Sequence, residues 1–264
     1  MHYFVSLRAN RQKHTDMQAM IFAAGLGTRL QPLTNDRPKA MVEVAGRPLL
    51  EHVILKLREQ GFSHIVVNVH HFGEQIIDFL QANHNFGLDI RVSDERRLLL
   101  NTGGGIKAAL PMFDLSKPIL IHNVDIACDM DLAGLYHQAE EMMTERAALM
   151  VTKQRQTSRF LLFNREGLLR GWLNEKPEGN VGKCMGTEPI DELVRMPFTG
   201  IHVLMPGIYK ALEQYPDEVF SIIDFYLSAC IEHPIAHTTL PQDCRWVDCG
   251  KVEALERARE ILED

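Results

Sequence analysis

Ala23-Ala24-Gly25-Leu26-Gly27-Thr28-Arg29-Leu30 follows directly on the apolar run Ala19-Met20-Ile21-Phe22, and Pro38-Lys39 comes soon after. An apolar run feeding a glycine-rich turn reads as a buried strand that ends in a tight loop. Glycine admits conformations in which successive backbone N–H groups face one anion. Arg29 and Lys39 add the positive charge that phosphate oxygens call for. The segment therefore suits a nucleoside triphosphate. It is not a Walker loop, because no G-x-x-x-x-G-K-[ST] occurs, and Leu30 stands where a dinucleotide fingerprint needs its third glycine. On Gly-x-Gly alone, an ordinary strand-to-helix turn reads equally well.

Working outward, strand and helix patterns alternate. Residues 19–23 form the first strand. Residues 48–60 read as a helix with Leu49, Leu50, Val53, Ile54 and Leu57 on one face, closed by Gly61. The β-branched run at 64–69 fits a strand buried on both faces. A helix at 74–82, a strand at 89–93, a short helix at 104–110 and a strand at 118–122 follow, the last ending at Asn123-Val124-Asp125. This alternation predicts an α/β fold with a mostly parallel, doubly wound sheet whose ligands lie beyond the carboxyl ends of the strands. The glycine loop, His70-His71 and Asp125 all follow strand ends and so converge on that edge. The second half is less regular. Strands are expected at 147–153, 159–163, 168–174 and 198–204, and helices at 222–230 and 252–262. Residues 178–195 read as a long loop over the site.

Length and charge narrow the function. The chain has 264 residues, 45% of them apolar, which is enough for one sizeable core. One domain over residues 17–264, preceded by an extension at 1–16, is the simplest division. A net charge of −7 argues against a general nucleic-acid surface. The five cysteines are an odd number and include no C-x-x-C pair, which suggests reduced thiols in a cytoplasmic protein. No apolar run approaches the ~18 residues of a membrane span, and Tyr3-Phe4-Val5 is too short for a signal-peptide core.

Gly25-x-Gly27-Thr28-Arg29-Leu30, then Pro32-Leu33-Thr34, then Pro38-Lys39 resembles the N-terminal pattern of the sugar-1-phosphate nucleotidyltransferases. That resemblance implies a Rossmann-like, GT-A-like three-layer α/β/α fold around a mostly parallel mixed sheet. It implies that Ala23, Ala24, Gly25, Gly27, Thr28 and Arg29 wrap a triphosphate. Arg29 would meet the departing pyrophosphate and Lys39 the phosphates at the reacting centre.

Further segments match in family order. Asn101-Thr102-Gly103-Gly104-Gly105 corresponds to the segment against the base and ribose, with Thr102, Gly103 and Gly104 as contacts; a helix start capped by Thr102 is the alternative reading. Asp125 corresponds to a metal-binding acid; a helix cap is its alternative, for which Asp129 and Asp131 stand better placed. Glu175-Lys176-Pro177 and Phe198-Thr199-Gly200-Ile201 resemble segments of the sugar pocket, with Glu175, Lys176, Thr199 and Gly200 as sugar-phosphate contacts. Trp246-x-Asp248-x-Gly250, with Leu255, makes Asp248 a second metal acid.

The implied reaction passes a nucleoside monophosphate from a nucleoside triphosphate (NTP) to a sugar-1-phosphate. Its attacking group is already an anionic oxygen, so alignment and charge neutralisation with Mg²⁺ (or Mn²⁺) replace a protein nucleophile. The partners implied are small molecules, with no nucleic acid and no membrane, acting on a monomer or homodimer. Leu99-Leu100-Asn101-Thr102-Gly103-Gly104-Gly105-Ile106 resembles the N-acetylmuramate-1-phosphate uridylyltransferases of cell-wall recycling, with Asn101 where relatives often carry Glu. Mannose-1-phosphate guanylyltransferases, aminoalcohol-phosphate cytidylyltransferases and a nucleotide-sugar-binding regulatory subunit are the alternatives. Asn68, His70 and His71 line the mouth of the pocket or are exposed. Ser158 and Arg159 face the sugar phosphate or solvent.

Overall fold

The computed structural model describes residues 16–176 and 183–263. Its strands in chain order are β1 (Met17–Phe22), the small hairpin β2 (Glu43–Val44) and β3 (Arg47–Pro48), β4 (Phe62–Val69), β5 (Asp89–Asp94), β6 (Ile119–Asn123), β7 (Ile126–Cys128) and β8 (Ala148–Thr152). β9 (Arg159–Phe163), β10 (Leu169–Asn174), β11 (Lys183–Cys184), β12 (Val194–Met196), β13 (Phe198–Leu204), β14 (Ile235–Thr239) and β15 (Trp246–Asp248) complete them. The helices are α1 (Leu49–Glu59), α2 (Gly73–Ala82), α3 (Asn101–Ala109), α4 (Leu132–Met142), α5 (Pro206–Glu213), α6 (Ile222–Ala229) and α7 (Val252–Leu262).

A seven-stranded sheet in the order β14-β8-β13-β6-β1-β4-β5 divides the molecule. Within it β13 runs antiparallel to β6 and β8, and the other neighbours are parallel. Side chains alternate across a strand with a period of two. Ile65, Val67 and Val69 of β4 therefore enter one core with α1, α2, α4 and α7, while Val66 enters the other with α3, α5 and α6. Both faces of the sheet are covered, which is why β4 reads as a continuous apolar run. The five apolar residues expected on one face of α1 are all buried in the first core. The result is the mostly parallel three-layer α/β/α arrangement expected.

Several elements depart from the sequence reading. The described part of the loop expected at 178–195, residues 183–195, is not one loop: β11 pairs with β10, and β12 with β9, extending that hairpin into a four-stranded antiparallel sheet. Residues 1–15 and 177–182, and with them Pro177, lie outside the described residues. Helices α4 and α5 and strands β7, β14 and β15 add to the elements read from sequence. Asp131 caps α4, its carboxylate accepting from the Gly134 N–H at 2.8 Å.

Helix α3 starts at Asn101 rather than at residue 104, so the glycine run is its first turn. The cause is the segment 218–222 lying across it. The Phe220 carbonyl accepts from the N–H groups of Gly103 (2.9 Å) and Gly104 (3.3 Å). A Cβ on Gly103 would sit 2.3 Å from the Phe220 ring, and one on Gly104 would sit 2.2 Å from the Glu218 carbonyl oxygen. These glycines allow close packing, and the helix start is not an open anion site.

The packing on α3 and a buried histidine each give a prediction. Gly104→Ala must displace backbone, so it should destabilise the protein by about 1–3 kcal/mol in urea unfolding. Gly207→Ala, in α5 with open space around it, should be neutral or slightly stabilising in the same assay. The second concerns His202, which is wholly buried between Phe198 and Tyr226 with neither ring nitrogen hydrogen-bonded. Burial lowers its pKa from the usual 6.5 to about 3. The unfolded chain takes up this proton first, so stability is full above pH 6.5 and falls as pH drops toward 3. His202→Phe should flatten that acid slope in melting temperatures measured from pH 7 to pH 4.

Candidate active site

A cavity of about 530 Å³ opens at the carboxyl ends of β1, β4 and β6. The turn after β1 contributes Ala24, Gly25 and Arg29 to its wall, and Lys39 lies beside them. Asn68 lies near the end of β4 and Glu95 follows β5, Asn101 and Thr102 come from the start of α3, Asn123 ends β6 and Asp125 follows it.

The turn owes its shape to Gly27, at φ 66°, whose carbonyl accepts from Leu30 N–H (2.9 Å) and the Thr34 hydroxyl (2.9 Å). A Cβ there would press on Thr34 at 3.0 Å and on Lys39 at 3.1 Å. Closing the loop on Thr34 thus carries Lys39 in beneath Gly25. The backbone N–H groups of Ala23 and Ala24 do not face open space: both donate to the Asn68 side-chain oxygen, at 2.7 and 3.3 Å. Ala23 is buried behind the cavity wall, and Thr28 is exposed in the turn.

Asn68 in turn donates to the Glu95 carboxylate at 2.7 Å, and the other Glu95 oxygen accepts from Leu100 N–H at 3.1 Å. Glu95 is only 2% exposed. Burial raises its pKa, against the opposing effect of these hydrogen bonds. One buried network therefore joins the glycine loop to the approach of α3. Glu95 went unread in the sequence, because an acid after a short strand carries no local sign of burial.

Lys39 Nζ lies 2.5 Å from Asp125, with both side chains largely buried. The Asp125 carbonyl accepts from Cys249 N–H at 2.7 Å, and the β7–β15 ladder sets Asp248 against Ile126. Two acids distant in sequence thereby reach one place. Cys249 registers both: burial, then the charges of Asp125 and Asp248, push its thiol up to about 12. The Asp248 carboxylate accepts from Gly250 N–H at 2.8 Å. A Cβ on Gly250 would stand 2.6 Å from an Arg29 guanidinium nitrogen, so Arg29 lies directly over this turn. Arg29, Lys39, Asp125 and Asp248 therefore form one cluster.

The other residues singled out lie around this cluster. Thr102 accepts from Ile222 N–H through its hydroxyl (2.9 Å), while Gly103 and Gly104 are buried under the 218–222 segment. Gly200, at φ 87°, passes so close to Asn123 that a Cβ would be 2.8 Å from its amide nitrogen. Thr199 is buried, and its hydroxyl donates to the Val151 carbonyl within the sheet (2.8 Å). Glu175 and Lys176 are exposed at the end of β10, Glu175 paired with Arg195 at 2.6 Å. His70 Nδ1 bonds with the Glu95 carbonyl (2.7 Å), and the His71 ring packs at a tilt against Phe72. No group of three or more His, Cys, Asp or Glu that could hold a metal occurs among the described residues. No helix among them is long and apolar enough to cross a membrane.

The model of the nucleotidyl transferase family matches residues 18–264. The chain belongs to the nucleotidyl transferase family. This nucleotidyltransferase is 31% identical over 256 residues to an N-acetylmuramate alpha-1-phosphate uridylyltransferase of Neisseria meningitidis, covering 93% of the chain and 98% of the relative. It is 49% identical over 109 residues to a protein of the same description from Caulobacter vibrioides, covering 40% of the chain but only 45% of that relative. Its fold is shared with a putative glucose-1-phosphate thymidylyltransferase of Bacillus anthracis, with a TM-score of 0.74, 15% identity and coverage of 94% and 96% of the two chains.

Asn68→Ala would strand two buried N–H donors and a buried carboxylate at once. It should destabilise the nucleotidyltransferase by roughly 2–3 kcal/mol, read as a lower urea midpoint.

Proposed function

We propose that this nucleotidyltransferase joins a sugar-1-phosphate to the nucleoside monophosphate of an NTP and releases pyrophosphate, with UTP and N-acetylmuramate 1-phosphate as its substrates. The observation that carries the reading is the cluster of Arg29, Lys39, Asp125 and Asp248 at the edge where the glycine loop ends. Similarity to the Neisseria uridylyltransferase over nearly all of both chains supports the choice of substrates.

In this reading a phosphate oxygen of the sugar-1-phosphate attacks the α-phosphorus of the NTP. The bond from that phosphorus to the bridging oxygen breaks, and pyrophosphate leaves. The nucleophile is already ionised, so the protein has two tasks, to align the reactants and to neutralise charge. Lys39, held by Asp125, sets a fixed positive charge beside the α-phosphate. Arg29, over Gly250, meets the departing pyrophosphate. Gly25 and Gly27 give the loop its close approach to the phosphates, and Asn101 and Thr102 border the base and ribose. Glu175 and Lys176 approach the sugar and its phosphate, with Gly200 keeping Asn123 close. Thr199 acts from within the sheet, by holding β13 in place. Residues 17–264 act as one catalytic domain in the cytoplasm, where free cysteines such as Cys128 and Cys249 stay reduced.

Asp125 and Asp248 are the residues that would hold a divalent cation. Their donor set fits: two carboxylates joined by a short strand pair offer only oxygen, the arrangement Mg²⁺ takes when substrate phosphates complete its shell. When bound, Mg²⁺ (or Mn²⁺) supplies positive charge that no side chain can match at the triphosphate.

Pyrophosphate release with Mg²⁺, across UTP, GTP, CTP and dTTP and a panel of sugar-1-phosphates, tests the proposal. Turnover should be fastest with UTP and N-acetylmuramate 1-phosphate. Fastest turnover with GTP and mannose 1-phosphate would overturn the substrate assignment, and silence with every pair would overturn the reaction. Asp125→Ala should lower kcat by about 100-fold or more while remaining folded by circular dichroism.

A further inference from the structure

A second cavity, of about 410 Å³, opens between the β9–β10 hairpin and the start of α6. Its size falls in the ~300–1,000 Å³ range of small-molecule sites. Arg155, Arg159, Trp172, Phe198 and Asp224 are among the residues that line it. It neighbours the reacting cluster on two sides. Val219 lines the first cavity and Ser221 the second, so one short segment partitions them. Arg155 packs over Trp246 at 5.3 Å, donates to the Phe198 carbonyl at 3.2 Å, and feels the charge of Asp248. Arg159 is paired across the hairpin with Asn174, the residue before Glu175-Lys176.

The chemistry of this chamber is that of a site for a sugar with substituents. Arginine forks are matched to carboxylates, in pairs of parallel hydrogen bonds. Among the described residues no carboxylate lies within ion-pair distance of Arg155 or Arg159. Aromatic walls suit methyl groups and a short carbon arm. We propose that this cavity receives the substituents of an acidic amino-sugar 1-phosphate, and that Arg159 reads the carboxylate of its side arm. Arg155 forms the wall between that carboxylate and the phosphate centre. The inference rests on the nucleotidyl-transfer reading above and makes Arg159 the residue that separates acidic from neutral acceptors.

The test compares kcat/KM for N-acetylmuramate 1-phosphate and N-acetylglucosamine 1-phosphate, which lacks the carboxylate arm, with UTP in the wild type, Arg159→Ala and Arg159→Lys. The wild type should favour the acidic sugar. Arg159→Ala should lose about 10- to 100-fold on the acidic sugar, mostly in KM, and less than about 2-fold on the neutral one. Arg159→Lys should recover part of that loss, since it keeps the charge without the fork. Arg159 is exposed, so melting temperatures should be unchanged. Equal losses on both sugars, or none on either, overturn the role of Arg159. Wild-type turnover of neutral sugars alone overturns the acidic-sugar pocket and leaves nucleotidyl transfer standing. Pyrophosphate from no pair overturns the transfer reading and this inference with it.

Discussion

The hydrogen bond from Cys249 N–H to the Asp125 carbonyl, at 2.7 Å, is the tie on which the acidic half of the site depends. It extends the β7–β15 ladder and draws the C-terminal part of the chain against the end of β6. Together with that ladder it fixes Asp248, Gly250 and the start of α7 relative to the glycine loop. With it Arg29 rests over Gly250, and the two acids come within reach of the same buried thiol. A backbone bond suits this task because its geometry does not depend on a side-chain rotamer.

The resulting arrangement crowds charge into a partly buried place. Lys39 and Asp125 retain only 15% and 10% of their side-chain exposure. Removing two charges from water is unfavourable, and their attraction at best balances it. Such a pair adds little stability, but it holds an ammonium group and a carboxylate in one orientation. On the opposite side, Asn68 and Glu95 form a second polar network that braces the loop from below. The turn between these supports is therefore held at Gly27 by Thr34, at Ala23 and Ala24 by Asn68, and at Lys39 by Asp125.

Much of this was legible in sequence where the signal is local. The face of α1, the buried run of β4, and the bounds of β9, β13 and α7 follow from side-chain periodicity, because burial on one or both faces imposes it. Asp125 and the glycine turn were legible because each follows a buried apolar strand, and the longer motifs around them resemble one family. The elements left unread are short or weakly patterned: β7 and β15 have three residues each, and β11 has two. They exist as strands because partners remote in sequence supply the ladder.

The sequence by itself determined the alternation of strands and helices, the glycine turn, and the residue types able to manage phosphate charge. Only the tertiary structure decided what those residues face. It turned the Ala23 and Ala24 N–H groups to Asn68, placed Gly103 and Gly104 under Phe220, and directed the Thr199 hydroxyl into the sheet. It also buried Glu95, gathered Asp248 to Asp125, and opened a chamber between Arg159 and α6. The physical reason is range. Helix and strand preferences act over a few residues, whereas the facing of a side chain is set by whichever distant segment packs against it.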